Sequence, residues 1–84
     1  MKVHELKITT ANFYFVLGGA KKAEFRLNDR DYKEGDILKL REWLPDAEGY
    51  TGEYLYVRIT HITDLAEWVP GYVMLSIRRG PFKC

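Results

Sequence analysis

The chain is organised around one stretch, Gly19-Ala20-Lys21-Lys22-Ala23-Glu24-Phe25-Arg26. Glycine readily adopts the left-handed conformation in which many helices end, so the pair Gly18-Gly19 predicts the end of a helix. The run that follows is predicted to be a strand, in which side chains alternate between two faces. We therefore expect Glu24 and Arg26 to share one face, turned outward or into a cleft, and Phe25 to enter the core.

The charged side chains of this stretch allow two interpretations. Lys21 lies at the predicted helix-to-strand turn, from which it can reach the side of Glu24 and Arg26. The first interpretation is an ordinary exposed Glu/Arg pair, which contributes less than ~1 kcal/mol to stability. The second is a compact site made of an ammonium group, a carboxylate and a guanidinium group.

The spacing of these residues resembles the signature of the ASCH domains, Gly-x-Lys-x-x-Glu-x-Arg. Gly19, Lys21, Glu24 and Arg26 match it position by position. The resemblance implies a fold similar to that of the PUA RNA-binding domains, a small β-barrel with helices packed around it. It also implies that the motif side chains face a ligand groove.

The resemblance extends beyond the signature, from about His4 to Ile77. The further matches are to one small bacterial and phage branch of these domains, the domain-of-unknown-function family 3850. They are His4-Glu5-Leu6-Lys7, Asn28-Asp29-Arg30-Asp31, Gly35-Asp36-Ile37-Leu38, Arg41-Glu42-Trp43 and Pro70-Gly71-Tyr72-Val73.

Length and composition indicate one folded domain, residues 1–84, with a basic tail from about residue 78. Hydrophobic residues make up 46% of the 84 residues, enough for a globular core. No apolar run approaches the ~20 residues of a membrane span, and the first residues lack the apolar segment of a signal peptide. The single Cys84 cannot form an internal disulfide. We therefore expect a cytoplasmic protein. The net charge of +1 indicates local rather than extended contact with nucleic acid.

The pattern predicts an α+β fold that is mainly β, a small barrel of about five strands with one or two short helices. A helix is expected at 11–17, capped by Thr9 or Thr10. Strands are expected near the N-terminus and at 22–27, 37–43, 53–63 and 72–77, with a long hairpin around the loop 45–52. The basic segment 78–84 is expected to be frayed.

Several single residues carry expectations of their own. His4 and His61 are expected to be packed, hydrogen-bonded histidines, although His4 could also titrate near neutral pH. Trp68 is expected to plug a turn. Arg30 either joins Lys21 and Arg26 at one edge or is a solvated arginine in a polar loop.

The sequence argues against several chemistries. One cysteine and two histidines make a structural zinc site improbable. No phosphate-binding loop of the form Gly-x-x-x-x-Gly-Lys-Ser/Thr is present, nor a Gly-x-Ser-x-Gly elbow, and Ser76 is the only serine. We expect neither a metal nor a cofactor, and no membrane partner.

The main functional expectation is an RNA- or nucleotide-binding module. Cations of the motif region would hold phosphate or ribose oxygens, while a tyrosine or tryptophan would stack on a base. The candidate ligand-binding residues are Lys21, Glu24, Arg26, Arg30, Lys22 and Tyr32.

The resemblance also leaves open an enzyme. Some single-domain ASCH proteins are amidohydrolases that remove the acetyl group from N4-acetylcytidine, and they use the lysine that corresponds to Lys21. Their residue at the position of Glu24 is a threonine, and their second catalytic glutamate lies in a late segment that is largely missing here, where Asp64 and Glu67 are the available carboxylates. Lys21 and Glu24 would be the catalytic residues of such an enzyme. A third interpretation is a protein-interaction module of phage type.

Overall fold

The structure, a computed structural model, describes residues 1–80. Within this range the chain forms five strands and one α-helix: β1 (Val3–Thr9), α1 (Thr10–Leu17), β2 (Ala23–Leu27), β3 (Ile37–Leu44), β4 (Gly49–Asp64) and β5 (Tyr72–Arg79). The strands make one sheet that curls into a half-barrel. The prediction of a mainly β, α+β fold with about five strands is therefore confirmed.

The order of strands across the sheet is β1-β3-β4-β5-β2. β1 runs parallel to β3, and every other neighbouring pair is antiparallel. β1 and β2 are joined through α1, yet they form the two opposite edges of the sheet. Because the sheet curls, these edges approach each other, and the motif strand β2 comes to lie beside the end of β1.

The core fills the concave face of the curled sheet. Alternate residues of β1 and β5 are buried, as are Leu38, Leu40 and Glu42 of β3, whose first residue, Ile37, is buried as well. The buried hydrophobic residues that pack into one cluster are Leu6, Ile8, Phe13, Val16, Tyr32, Leu38, Leu40, Leu55, Val57, Ile59, Val73, Leu75 and Ile77.

The helix is placed as the sequence predicts. Thr9 occupies the N-cap position, and its side chain makes no capping hydrogen bond to the helix. Phe13 and Val16 are buried against the sheet. The helix ends at Leu17 with Gly18 as its C-cap. Gly19 has a φ of 87°, a conformation that residues other than glycine adopt at a cost. This turn directs the chain into β2.

The prediction that Phe25 enters the core is wrong. Glu24 is the buried residue of β2, at 5% exposure, whereas Phe25 is 48% exposed on the outer face. There it stacks on Tyr72 of β5, with ring centroids 4.9 Å apart and an angle of 8° between planes. Burial of Glu24 is possible because two cations surround its carboxylate, which offsets the cost of removing the charge from water.

The prediction that His61 is a core residue is also wrong. Its side chain is 65% exposed and lies 3.3 Å from a carboxylate oxygen of Glu34. The register between β4 and β5 shifts between Ile59 and His61, so a bulge at Thr60 reverses the alternation. Ile62, not His61, packs against the core.

Two expectations for the end of the chain need correction. Trp68 does not plug the turn between β4 and β5, because it is 73% exposed. Arg78 and Arg79 are not part of a frayed tail, since they belong to β5 and pair with β4. An Nη atom of Arg79 also donates a hydrogen bond to the carbonyl of Leu17. The rest of the predicted basic tail, residues 81–84 with Cys84, lies outside the described residues.

Candidate functional site

The motif side chains line a cleft between the two edges of the sheet. The cleft has a volume of about 330 Å³ and is bounded by the end of β1, the start of α1 and the strand β2. We call it the motif cleft. Its lining residues are Lys7, Ile8, Thr9, Asn12, Lys21, Glu24, Phe25 and Arg26.

Glu24 is the centre of the motif cleft. One carboxylate oxygen lies 3.2 Å from the Lys21 ammonium. The other accepts a hydrogen bond of 3.0 Å from Nε of Arg26, whose Nη2 is 2.9 Å away. The side chain of Glu24 is 6% exposed, while those of Lys21 and Arg26 are 27% and 24% exposed. A buried carboxylate is thus held between two cations that each keep one side in solvent.

Arg26 connects the two edge strands. Its Nη2 donates a hydrogen bond of 2.8 Å to the backbone carbonyl of Lys7 in β1. The same guanidinium holds Glu24 on its own strand. Arginine suits this position because its planar group presents several donors in fixed directions.

Lys21 is held in place by the turn that follows α1. Its backbone N–H donates to the carbonyl of Phe15 at 3.0 Å, which ties the turn to the helix. Its ammonium donates to the carbonyl of Ala23 in addition to its ion pair with Glu24. The positive φ of Gly19 allows the chain to reverse direction at this turn. Gly19 therefore helps to position Lys21, the next residue of the motif.

The motif cleft carries more positive than negative charge. Lys21 and Arg26 contribute two positive charges and Glu24 one negative charge. Lys7 also lines the cleft, but its ammonium lies over the Trp43 ring, 4.0 Å from the ring centroid. The cleft is therefore net positive, with a fixed hydrogen-bond acceptor at its base.

Arg30 lies in a second, smaller recess rather than in the motif cleft. This recess of about 130 Å³ is lined by Leu6, Arg26, Leu27, Asp29, Arg30 and Tyr32. Arg26 borders both cavities, so Arg30 joins Arg26 but is not brought together with Lys21. The side chain of Arg30 is 47% exposed, with its Nε 4.0 Å from a carboxylate oxygen of Asp29.

The structure places the two remaining candidates, Lys22 and Tyr32, outside the motif cleft. Tyr32 is 5% exposed and contacts His4 edge-to-face at 4.9 Å between ring centroids. Burial raises the pKa of Tyr32, and Arg26 and Arg30 partly offset that rise. Lys22 is exposed and borders a different cavity, next to the end of β5.

Sequence reasoning missed five lining residues of the motif cleft: Lys7, Ile8, Thr9, Asn12 and Phe25. The first four lie at the junction of β1 and α1, where Asn12 donates a side-chain hydrogen bond of 3.1 Å to Thr9. They are distant in sequence from the motif, and no local pattern joins them to it. They could have been identified only from the strand order, which makes β1 and β2 the two edges that the curled sheet brings together.

A second buried charged group lies away from the motif cleft. Nε2 of His4 is 2.8 Å from Oδ2 of Asp36, and both residues are buried. Burial raises the pKa of Asp36, but hydrogen bonds from His4 and from the backbone N–H groups of Lys2 and Lys33 outweigh it and hold the pKa below its usual value. The prediction that His4 is a packed, hydrogen-bonded histidine is confirmed.

Two further observations concern residues 1–80 as a whole. No three His, Cys, Asp or Glu side chains in this range converge in a way that could hold a metal ion. None of its helical structure is long and apolar enough to cross a membrane. Glu67, the late carboxylate considered for a hydrolase, borders a cavity beside Trp68 and is not among the lining residues of the motif cleft.

The fold and the site together define a small curled-sheet domain with a cationic cleft between its edge strands. The chain belongs to the family described as "Domain of unknown function (DUF3850)", whose model matches residues 3–77. It is also 46% identical over 74 residues to an "Uncharacterized 12.9 kDa protein in GpA 3'region" of Escherichia phage P2. The alignment covers 88% of this chain and 66% of the phage protein, just under two thirds of its length.

Proposed function

We propose that this protein is an ASCH-like, PUA-like module that binds RNA or a nucleotide in the motif cleft. The observation that carries the proposal is the placement of Glu24, a buried carboxylate between Lys21 and Arg26, at the base of an open cleft. The resemblance of the Gly-x-Lys-x-x-Glu-x-Arg spacing to the ASCH signature supports the same function. The cytoplasm, where RNA and free nucleotides occur, is the expected place of action.

The chemistry of the cleft suits a ligand that carries both negative charge and hydrogen-bond donors. Lys21 and Arg26 present donors and positive charge to phosphate or carbonyl oxygens. Glu24 accepts hydrogen bonds only, so it favours an exocyclic amine or ring N–H of a base. Phe25 lines the same cleft and offers an apolar edge. A ligand that combines a phosphate and a base meets all of these groups.

The size of the cleft limits the ligand. A volume of about 330 Å³ lies at the lower end of the ~300–1,000 Å³ typical of small-molecule sites. Such a cleft accommodates one nucleotide, or one nucleotide of a single strand whose neighbours lie outside. This agrees with the small net charge of the chain, which offers little grip on a long duplex.

The test is NMR chemical-shift mapping with a short single-stranded RNA, cytidine and N4-acetylcytidine. We expect shifts at Lys21, Glu24 and Arg26, and their loss in Lys21→Ala. The matched control is Lys22→Ala, which removes the neighbouring lysine that is exposed outside the cleft. If none of the ligands shifts the motif residues, the proposal is wrong and a protein partner becomes the leading interpretation.

The enzyme alternative rests on one contact, the 3.2 Å between the Lys21 ammonium and Glu24. A lysine beside a carboxylate in a cleft is a pair that could assist hydrolysis of an amide such as that of N4-acetylcytidine. Water would attack the acetyl carbonyl, and acetate and cytidine would be released. The same NMR samples report on this reaction, because free acetate gives a separate methyl signal. Acetate production that is lost in both Lys21→Ala and Glu24→Gln would favour the enzyme.

A further inference from the structure

A second surface, on the convex side of the sheet, combines exposed aromatic rings with cations. The core lies on the concave side, so the outward residues of β1, β3 and β4 form this surface. We call it the aromatic face. Its members are Lys7, Lys39, Arg41, Trp43, Tyr50, Tyr54 and Tyr56.

The strand register places these residues side by side. Tyr56 is directly opposite Lys39, Tyr54 is opposite Arg41, and Tyr50 is opposite Trp43. Directly opposed residues on neighbouring antiparallel strands share a face and lie close together. The rings therefore form two pairs along the β3–β4 hairpin, Tyr54–Tyr56 and Trp43–Tyr50, on either side of the register shift between Arg41 and Trp43.

Within each pair the two rings contact each other, and the tyrosines are also exposed to solvent. Tyr54 and Tyr56 meet at 5.7 Å between ring centroids, and Trp43 and Tyr50 at 4.9 Å. The three tyrosines Tyr50, Tyr54 and Tyr56 are 41%, 51% and 36% exposed. Exposed large rings that are concentrated on one sheet surface indicate a binding surface.

Each cation of the aromatic face lies over a ring. The Lys7 ammonium is 4.0 Å from the Trp43 centroid, and the Arg41 guanidinium is 3.8 Å from that of Tyr50. The Lys39 ammonium is 4.5 Å from the Tyr54 centroid. Stacking of a base on an aromatic ring is generally stronger than a solvent-exposed cation–ring contact. A base can therefore replace the cation, which is then free to pair with the adjacent phosphate.

From this arrangement we infer that the aromatic face is a binding site for single-stranded nucleic acid. Bases stack on Tyr54, Tyr56 and Trp43, and Lys39 and Arg41 neutralise the phosphates. The inference stands apart from the motif cleft, because the rings and the cations Lys39 and Arg41 lie on β3 and β4, which do not line the cleft, and because it rests on stacking rather than on the Glu24 network.

The charge of the aromatic face favours nucleic acid over a second copy of the chain as its occupant. The three cations of the face are opposed by Glu5, whose carboxylate is 3.4 Å from Arg41, so these groups carry a net charge of +2. Two copies that meet through this face would bring like charges together, whereas a polyanion gains from the same field. A single strand is favoured over a duplex because only unpaired bases present free faces for stacking.

The experiment uses tryptophan fluorescence in a Trp68→Phe background, so that Trp43 is the remaining tryptophan. The full-length protein is titrated with a twelve-nucleotide oligothymidylate and with an abasic oligomer of the same length. We expect the oligothymidylate to quench Trp43 and the abasic oligomer to bind more weakly, with no quenching. The double variant Tyr54→Ala/Tyr56→Ala should weaken oligothymidylate binding by about tenfold or more.

Three variants test which surface is responsible. Tyr14→Ala removes a tyrosine of similar exposure on α1, 55%, and should leave the affinity unchanged. Lys21→Ala disables the motif cleft and should also leave quenching of Trp43 in place. Lys39→Glu/Arg41→Glu keeps the rings and should abolish binding at physiological salt, which tests the charge requirement if the double tyrosine variant fails to fold by circular dichroism.

Three results would overturn the inference. Equal binding of the two oligomers without quenching would show that only charge is involved. Loss of binding in Lys21→Ala alone would assign the oligonucleotide to the motif cleft. Absence of oligonucleotide binding together with self-association in sedimentation experiments, lost in Tyr54→Ala/Tyr56→Ala, would make the face a protein interface.

Discussion

Nη2 of Arg26 lies 2.8 Å from the carbonyl oxygen of Lys7, and this hydrogen bond joins the two edge strands of an otherwise open sheet. Edge strands expose unpaired backbone groups, which folded proteins commonly cover or block so that another chain cannot pair with them. Here a side chain of β2 satisfies a carbonyl of β1 while it also holds Glu24. The motif arginine therefore has a structural role that is independent of any ligand.

The first prediction concerns Arg26→Lys. Lysine keeps the charge but cannot donate to Glu24 and to the Lys7 carbonyl at once, because its ammonium is a single point of donation. We expect the free energy of unfolding to fall by roughly 1–2 kcal/mol, in line with the loss of a hydrogen bond to a charged group. Urea denaturation measures the fall, and amide hydrogen exchange should become faster in β1 and β2.

The matched control is Arg30→Lys. The side chain of Arg30 is 47% exposed, and its Nε lies 4.0 Å from a carboxylate oxygen of Asp29. This substitution should change the free energy of unfolding by less than about 0.5 kcal/mol. Equal effects of the two substitutions would mean that the Arg26 bridge contributes nothing to closing the sheet.

The second prediction concerns Glu24→Gln. The amide has one acceptor oxygen, and its NH₂ group must face either Lys21 or Arg26, donor against donor. We expect a loss of about 2 kcal/mol in the free energy of unfolding, because a nearly buried ion pair is broken on one side. The comparison is Glu5→Gln, where the carboxylate is 58% exposed beside Arg41 and a loss below about 1 kcal/mol is expected. A smaller loss for Glu24→Gln than for Glu5→Gln would contradict the assignment of Glu24 as the centre of the network.

The third prediction concerns Gly19→Ala. A Cβ atom at this position meets nothing within 4 Å, so the cost is conformational rather than steric. With φ at 87°, we expect a destabilisation of roughly 1–2 kcal/mol. Asparagine tolerates this region better, so Gly19→Asn should cost less. Thermal unfolding of both variants measures the difference, and identical melting temperatures for the two would argue against the positive φ.

The fourth prediction concerns the pH dependence of stability through Asp36. Hydrogen bonds from His4 and two backbone N–H groups lower the pKa of this carboxyl in the folded state. Its contribution is therefore complete above the unfolded pKa of ~3.9 and is lost as the pH falls through the lower folded pKa. Urea denaturation of the wild type and Asp36→Asn should show a large difference at pH 7 that shrinks towards pH 3. Asp46→Asn, in the exposed β3–β4 turn, should show little difference at either pH.

Alternation of apolar residues predicted the sheet well where one face is plainly apolar. In β1, Leu6 and Ile8 alternate with Glu5 and Lys7. In β5, the buried residues Val73, Leu75 and Ile77 alternate with less buried neighbours, so burial follows directly from the sequence. In β2 the rule fails, because the strand has only five residues and places its carboxylate inside. Burial of Glu24 depends on its cation partners and on closure of the sheet.

The composition of the cleft could be predicted only in part for a related reason. Lys21, Glu24 and Arg26 are close in sequence, so their convergence follows from a turn and one strand. Lys7 reaches the same cleft because β1 and β2 are opposite edges of a curled sheet. That order is set by tertiary packing, and spacing along the chain does not encode it.

The fifth prediction tests the bulge in β4 that places His61, expected to be packed, on the exposed side of the strand. Because of the register shift after Ile59, His61 points outward and Ile62 packs against the core. We expect Ile62→Ala to lower the free energy of unfolding by about 1–2 kcal/mol, less than the ~2–5 kcal/mol typical of a fully buried site, because Ile62 is half-buried. His61→Ala removes an exposed pair with Glu34 and should cost less than about 1 kcal/mol. Chemical denaturation of the two variants measures both changes in the free energy of unfolding. A strand without the bulge would bury His61, so that His61→Ala would then cost more than Ile62→Ala.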